Sequence, residues 1–151
     1  MKEIHGDLIK LAEEGHFDVI IHGCNCFCTM GAGIAKTIKE RYPEAYEADC
    51  ETVSGDKSKL GTYTSAVVES DSNAFTIVNA YTQYDWRGMG LKADYDAIRQ
   101  VMKEIKIDLG GLVIGYPMIG AGLANGDWKI IKAIIEEELQ GEDHTLVIYK
   151  P

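Results

Sequence analysis

Asp18-Val-Ile-Ile-His-Gly-Cys-Asn-Cys-Phe-Cys-Thr-Met-Gly-Ala-Gly-Ile-Ala-Lys36 changes its periodicity partway along. Asp18 to His22 form an apolar, β-branched run of the length expected for a strand covered on both faces. From Gly33 onward, Ile34, Ala35 and Ile38 share one helical face, while Lys36, Lys39 and Glu40 share the other. That spacing predicts a helix, ended or redirected at Pro43. Between strand and helix lies a glycine-rich loop, Gly23 to Gly33. The unit is a strand, a glycine loop and a helix, the building block of a parallel sheet with helices on its faces.

The same alternation continues in both directions. Ile4 opens a short extended segment, Asp7-Leu8-Ile9-Lys10-Leu11 begins a brief helix, and a second short helix is expected over 44–52. Two β-branched runs, Gly61 to Val68 and Ala74 to Asn79, flank the polar turn Glu69 to Asn73 and read as a hairpin. Tyr95, Ile98, Val101, Met102 and Ile105 recur at helical spacing, predicting a helix over 94–106 that Gly110-Gly111 stops. Leu112 to Pro117 is a strand, Gly126-Asp127-Trp128 opens a helix through Leu139, and Thr145 to Tyr149 is the last strand. The expectation is an α/β fold of three α/β/α layers, with a mixed, mostly parallel central sheet made mixed by the hairpin. No repeat, low-complexity stretch or proline- or serine-rich linker divides the chain, so one domain over 1–151 is expected.

In such a sheet ligands bind beyond the carboxyl ends of the strands. Two glycine-rich loops fall there: Gly23 to Gly33, and Pro117-Met-Ile-Gly-Ala-Gly-Leu-Ala-Asn-Gly126. A helix N-terminus offers unpaired N–H groups and the positive end of its dipole, and glycine lets the main chain approach an anion closely. Neither loop is a P-loop or a Gly-x-Gly-x-x-Gly fingerprint. Glycines also serve plain tight turns, but two such loops at two strand ends suggest a diphosphate held between them.

The 151 residues carry 15 basic and 24 acidic side chains, a formal charge of −9, with 46% hydrophobic content. A general positive field for nucleic-acid backbones is absent, which argues against nucleic acid as a partner. The acids cluster in Glu44 to Glu51, Glu136 to Glu138 and Glu142-Asp143, which read as solvated surface. No run approaches the roughly 20 apolar residues of a membrane span, and Met1-Lys2-Glu3-Ile4-His5 is too polar for a signal peptide. A cytoplasmic location without membrane contact is expected. Cys24, Cys26, Cys28 and Cys50 are expected as free thiols; their spacing lacks the paired arms of a zinc site, and no metal or cofactor is demanded. A nucleophilic thiolate remains a separate possibility.

Gly6-Asp7-Leu8, Ile21-His22-Gly23-Cys24-Asn25, Met30-Gly31-Ala32-Gly33-Ile34-Ala35, Val78-Asn79-Ala80 and Pro117-Met118-Ile119-Gly120-Ala121-Gly122 together resemble the ordered blocks of a macrodomain. The likeness is greatest to the small microbial and phage branch associated with ADP-ribose 1″-phosphate. It implies a three-layer macrodomain with ADP-ribose or a derivative as ligand. By that resemblance Asp7 accepts from the adenine amino group, with the Leu8 main chain beside it, and Asn25 contacts the distal ribose. Met30, Gly31, Ala32, Gly33 and Ile34 lie beneath the distal ribose and diphosphate; Gly120, Ala121, Gly122, Leu123 and Ala124 wrap the diphosphate. Tyr149 and Pro151 fall near the place where relatives pack a side chain on adenine.

Each residue also has an ordinary reading. Asp7 and Asp127 are good helix N-caps, Asn25 can satisfy its own turn, and His22 in an apolar strand suits a hydrogen-bonded core position. The resemblance leaves Asn25, His22 and Asp127 as catalytic candidates, with His22 or Asp127 moving a proton. Tyr81 to Gly88, aromatic and polar, is placed where it could border the cleft. Some hydrolytic macrodomains carry an acid where Ala35 stands; others pair a lysine near Ala80 or Tyr81 with an aspartate at Ala124. Neither pair is present, so phosphate release from ADP-ribose 1″-phosphate is expected ahead of side-chain de-ADP-ribosylation. The alternatives are a non-catalytic ADP-ribose reader or a weak ADP-ribosyl hydrolase.

Overall fold

The computed structural model describes residues 1–151. In chain order the elements are β1 (Lys2–Gly6), α1 (Leu8–Glu13), β2 (Val19–Cys24), α2 (Gly33–Arg41), α3 (Pro43–Cys50), β3 (Tyr63–Glu69), β4 (Ala74–Tyr81), α4 (Tyr95–Leu109), β5 (Ile114–Tyr116), α5 (Trp128–Glu138) and β6 (His144–Tyr149). The strands form one six-stranded sheet in the order β1-β6-β5-β2-β4-β3. Every pairing is parallel except β3 with β4, the hairpin expected from the sequence.

Alternation along β2 divides the core. Val19 and Ile21 face α4 and α5, packing with Ile98, Met102, Ile105, Ile131 and Ile135. Ile20 faces the other way, toward Leu8 and Ile9 of α1, Ile38 of α2 and Ala45 of α3. An apolar run with neighbours on both faces is what a central parallel strand needs.

Local chemistry moves some element ends. Pro43 ends α2 and also occupies the first turn of α3, where its missing N–H costs nothing. β5 is shorter than the expected run. Pro117 has no N–H to extend the ladder, and at the other end the Val113 N–H is taken by the Asp18 carboxylate at 2.8 Å. α4 continues to Leu109, three residues beyond the expected end at Lys106, before Gly110 and the left-handed Gly111 at φ 88°.

Candidate ligand-binding site

Because β1, β6, β5, β2 and β4 run parallel, their carboxyl ends share one edge. Along that edge come Asp7 and Leu8 after β1, Tyr149 at the end of β6, the loop 117–126 after β5, the loop 25–32 after β2, and the segment 82–93 after β4. Gly6 and Tyr149 are register partners, and the Lys150 N–H donates to the Gly6 carbonyl at 2.9 Å, so Asp7 and Tyr149 stand side by side. At about 4.8 Å per strand the row is roughly 20 Å long, a shape for an elongated ligand.

The loop after β2 is held from below. Asn25 accepts from the Phe27 N–H (2.8 Å) and donates through Nδ2 to the Thr29 hydroxyl (2.8 Å) and carbonyl (3.2 Å). The turn role foreseen for Asn25 is thus filled; its two amide hydrogens are used and its oxygen keeps a second lone pair. The Cys26 N–H donates to the Tyr84 carbonyl at 2.9 Å, and the buried Lys59 ammonium donates to the Cys26 carbonyl at 3.1 Å. Met30 packs with Cys24, Cys26 and Tyr81, so only its main chain reaches the edge. Leu8 is likewise core by its side chain.

What this leaves uncommitted is main chain. From Gly31 to Ala35 no N–H has a main-chain partner. The N-cap of α2 is Ala32, which has no side chain to bond there, and its first turn contains no acid. Orphan N–H groups without a competing carboxylate form an anion site. The loop after β5 differs in kind. Ala121, Asn125 and Gly126 donate within the loop, whereas the N–H groups of Gly122, Leu123 and Ala124 take no main-chain partner. α5 itself is closed to anions, because the Asp127 carboxylate caps it at Lys129 N–H, 2.9 Å away.

The glycines sort into two groups. A Cβ on Gly23 would lie 2.7 Å from Thr82 Oγ1, and one on Gly126 would lie 2.6 Å from Ile131 Cδ1, so packing requires glycine at both. Gly31 and Gly122 have no positive φ, and a Cβ on either would meet nothing within 4 Å. The fold itself gives no reason for glycine at these two positions. Their open faces border the unpaired N–H groups.

Beneath the loops runs a buried polar chain. His22 Nε2 lies 2.6 Å from Asn79 Oδ1, while Asn79 Nδ2 donates to the Ala45 carbonyl (2.9 Å) and to Thr64 Oγ1 (3.1 Å). Thr64 meets the Tyr81 hydroxyl at 2.9 Å, and that hydroxyl donates to buried Asp49 at 2.7 Å. With both Asn79 amide hydrogens spent, Nε2 of His22 carries the proton that binds Asn79 Oδ1. Burial lowers the His22 pKa from 6.5 to about 4, against the opposing pull of Asn79, which holds it neutral near pH 7. It fills the core position open to it in the sequence. Burial likewise raises Cys26 to about 11 and pushes the Cys24 thiol well above its ordinary value. Neither is a thiolate at neutral pH, and all four cysteines are free. No group of three His, Cys, Asp or Glu side chains is arranged to hold a metal ion.

The neutral His22 has a measurable consequence. The folded pKa lies below the unfolded value, so the unfolded chain binds more protons between them. The resulting stability is full above about 6.5 and is lost as pH falls toward about 4. The loss is about 3 kcal/mol at 1.36 kcal/mol per unit. Asp49 acts in the opposite sense, since burial raises its carboxyl pKa, and His144, lowered by burial, acts in the same sense. Urea unfolding of wild type and His22→Gln at pH 7 and pH 5 isolates His22: the variant loses less stability on acidification. Equal losses contradict a neutral buried His22.

The sequence places residues 81–88 where they could border the cleft, but shows neither their packing against Phe27 nor the burial of Lys59. Phe27 meets Tyr84 and Trp86 edge-on at 5.0 and 5.9 Å, and Arg87 lies 5.0 Å from the Phe27 ring and 4.9 Å from the Trp86 ring. Arg87 is held by a bidentate pair with Asp85, Nε donating to Oδ1 at 2.9 Å and Nη2 to Oδ2 at 2.8 Å. The aromatic content of 81–88 was the available signal; its pairing with Phe27 was not. Lys59, in a polar stretch, gave no sign of its burial. Two open depressions, of about 390 Å³ beside Met1 and His144 and about 450 Å³ beside Thr64 and Gln100, lie away from both loops.

Residues 21–135 match the Macro domain family. The chain belongs to that family. It is 34% identical over 156 residues to a 17.5 kDa protein from the tk-vs intergenic region of Enterobacteria phage T4, covering all of this chain and 97% of that one. An ADP-ribose 1″-phosphate phosphatase of Debaryomyces hansenii is 28% identical, with 91% and 93% of the two chains covered. A DNA ADP-ribosyl glycohydrolase of Mycobacterium tuberculosis is also 28% identical; the match takes in 97% of this chain and 41% of the relative. Among solved structures, the macrodomain of Mycobacterium tuberculosis DarG superposes with a TM-score of 0.74 at 22% identity, over 100% of this chain and 99% of that one. The three-layer macrodomain with a mixed, mostly parallel sheet is thereby shown. No helix is long and apolar enough to cross a membrane.

Proposed function

We propose that this macrodomain binds ADP-ribose along the carboxyl edge of the sheet and releases phosphate from ADP-ribose 1″-phosphate. The observation that carries the reading is the pair of open glycines, Gly31 and Gly122, facing unpaired N–H groups on two adjacent loops. The diphosphate lies between Gly31–Ile34 and Gly120–Ala124. The adenine lies at Asp7 and Tyr149, with Pro151 beyond. Asp7 spends one oxygen on the Lys10 N–H at 3.1 Å and keeps the other for the adenine amino group. The distal ribose lies at Asn25, whose oxygen retains a lone pair.

In the reaction water attacks phosphorus, the bond from phosphorus to the 1″ oxygen breaks, and that oxygen takes a proton to give ADP-ribose and phosphate. Of the unpaired main-chain donors from Gly31 to Ala35, those that do not face the diphosphate hold the terminal phosphate and spread its charge, which is the larger part of phosphoryl-transfer catalysis. Of the three catalytic candidates, Asn25 orients and His22 is buried and neutral. Asp127 is exposed and spends only one oxygen on its cap. Asp127→Asn separates its two roles, because asparagine caps as well as aspartate but moves no proton at neutral pH. Phosphate release falling about 100-fold at unchanged stability marks a general acid or base, within the usual range for such groups. Unchanged release leaves Asp127 as a cap alone. Wild type releasing no more phosphate than Asn25→Ala contradicts the enzymatic reading and leaves a reader of ADP-ribose.

A second reading is favoured by the Phe27–Trp86–Arg87 surface beside Asn25. Aromatic rings with a guanidinium laid over them suit a stacked base. Removal of ADP-ribose from a modified nucleic acid would use that surface, and the mycobacterial relative is named for such an activity. The acidic net charge opposes general backbone attraction, not recognition through the ADP-ribosyl group. Release of ADP-ribose from ADP-ribosylated single-stranded DNA, lost in Trp86→Ala, supports this reading over phosphate release.

A further inference from the structure

Gln83 Oε1 is the one buried side-chain nitrogen or oxygen with no hydrogen-bond partner. A buried acceptor left unpaired costs the protein the desolvation of that group, so it calls for an explanation. Its position supplies one. The Gln83 carbonyl accepts from Cys26 Sγ at 3.5 Å, next to Asn25 in the first loop. On its other side Gln83 forms an antiparallel bridge with Ala93, whose N–H donates to the Ala124 carbonyl of the second loop at 3.1 Å. Gln83 therefore links the first loop, through Ala93, to the second, directly after β4.

Of the polar side chains next to it in the two segments, Asn25 serves Phe27 and Thr29 and keeps one lone pair on its oxygen, and Asp85 serves Arg87. Gln83 keeps an acceptor in reserve. Its terminal torsion is broad and two-fold, so the carboxamide can turn oxygen or nitrogen toward the edge at little cost. Along the row of strand ends, β4 follows β2, on the far side of the first loop from the diphosphate.

We infer that Gln83 is a specificity-determining contact for the sugar beyond the diphosphate, its carboxamide oxygen accepting a hydroxyl that the ligand brings. The inference rests on the binding reading above and adds the residue that distinguishes ADP-ribose from ADP. Methionine matches glutamine in length and lacks the acceptor. Titration calorimetry of wild type and Gln83→Met with ADP-ribose and with ADP, alongside thermal unfolding of both free proteins, tests it.

The expected result is about tenfold weaker ADP-ribose binding in the variant, the worth of one hydrogen bond. ADP affinity stays within about twofold, and the ligand-free variant unfolds at the same or a higher temperature, because an unpaired acceptor has been removed. Unchanged preference for ADP-ribose over ADP overturns the inference alone, and so does a lowered unfolding temperature with that preference intact, which marks a structural water at Gln83. Wild type binding neither ligand overturns the binding reading and this inference together.

Discussion

Gly122→Ala and Gly31→Ala fold as the wild type does and lose at least about tenfold in ADP-ribose affinity, because each methyl group enters space that the diphosphate is proposed to fill and displaces a main-chain hydrogen bond. The stability half of this expectation follows from the geometry. Neither glycine has a positive φ and neither Cβ meets an atom within 4 Å, so no strain and no collision arise. Reduced freedom of the unfolded chain shifts the balance toward folding by about 0.4–1 kcal/mol. The unfolding temperature then stays level or rises by about 1–3 °C. Affinity and stability therefore part company, which a purely structural glycine does not allow. Calorimetry and a thermal melt on each variant decide it, and unaltered affinity in both counts against these loops as the phosphate site.

Gly126→Ala has the opposite signature. Its Cβ collides with the Gly120 carbonyl oxygen and sits 2.6 Å from Ile131 Cδ1 and 3.1 Å from Ala93 Cβ. The Gly120 oxygen also accepts the Gly126 N–H, so main chain must move and that bond is lost. Overpacking of this kind costs about 3 kcal/mol, an expected drop of roughly 6–12 °C for a chain of this length. Two glycines four residues apart in one loop thus have different reasons for being glycine. A melt of Gly126→Ala within about 2 °C of wild type contradicts that division.

Much of the fold was legible because β2, α4 and α5 carry unambiguous periodicity, and because the polar turn 69–73 lies between two β-branched runs. The ends were less so. β5 is cut short by Pro117 and by the Asp18 carboxylate on Val113, and the latter is a contact across the chain that no local pattern reveals. At the site, the glycine loops were legible as loops, but which glycines packing requires depends on Thr82, Ile131 and Ala93, residues distant in sequence. His22 could be read either as core or as base; its burial beside Asn79, itself brought in by β4, assigns it to the core. Lys59 escaped notice for the same reason, since a lysine between Ser58 and Leu60 has no local sign of lying under Cys26.

The central claim is that the two loops and the row of strand ends hold one ADP-ribose molecule. Titration calorimetry of the wild-type protein with ADP-ribose, repeated on Asp7→Ala and Gly122→Ala, tests it most directly. The expected result is saturable binding of one ligand per chain, weakened by the loss of the carboxylate at the adenine end and by the added methyl at the diphosphate. Absence of saturable heat with the wild type, or equal affinity in all three proteins, contradicts it.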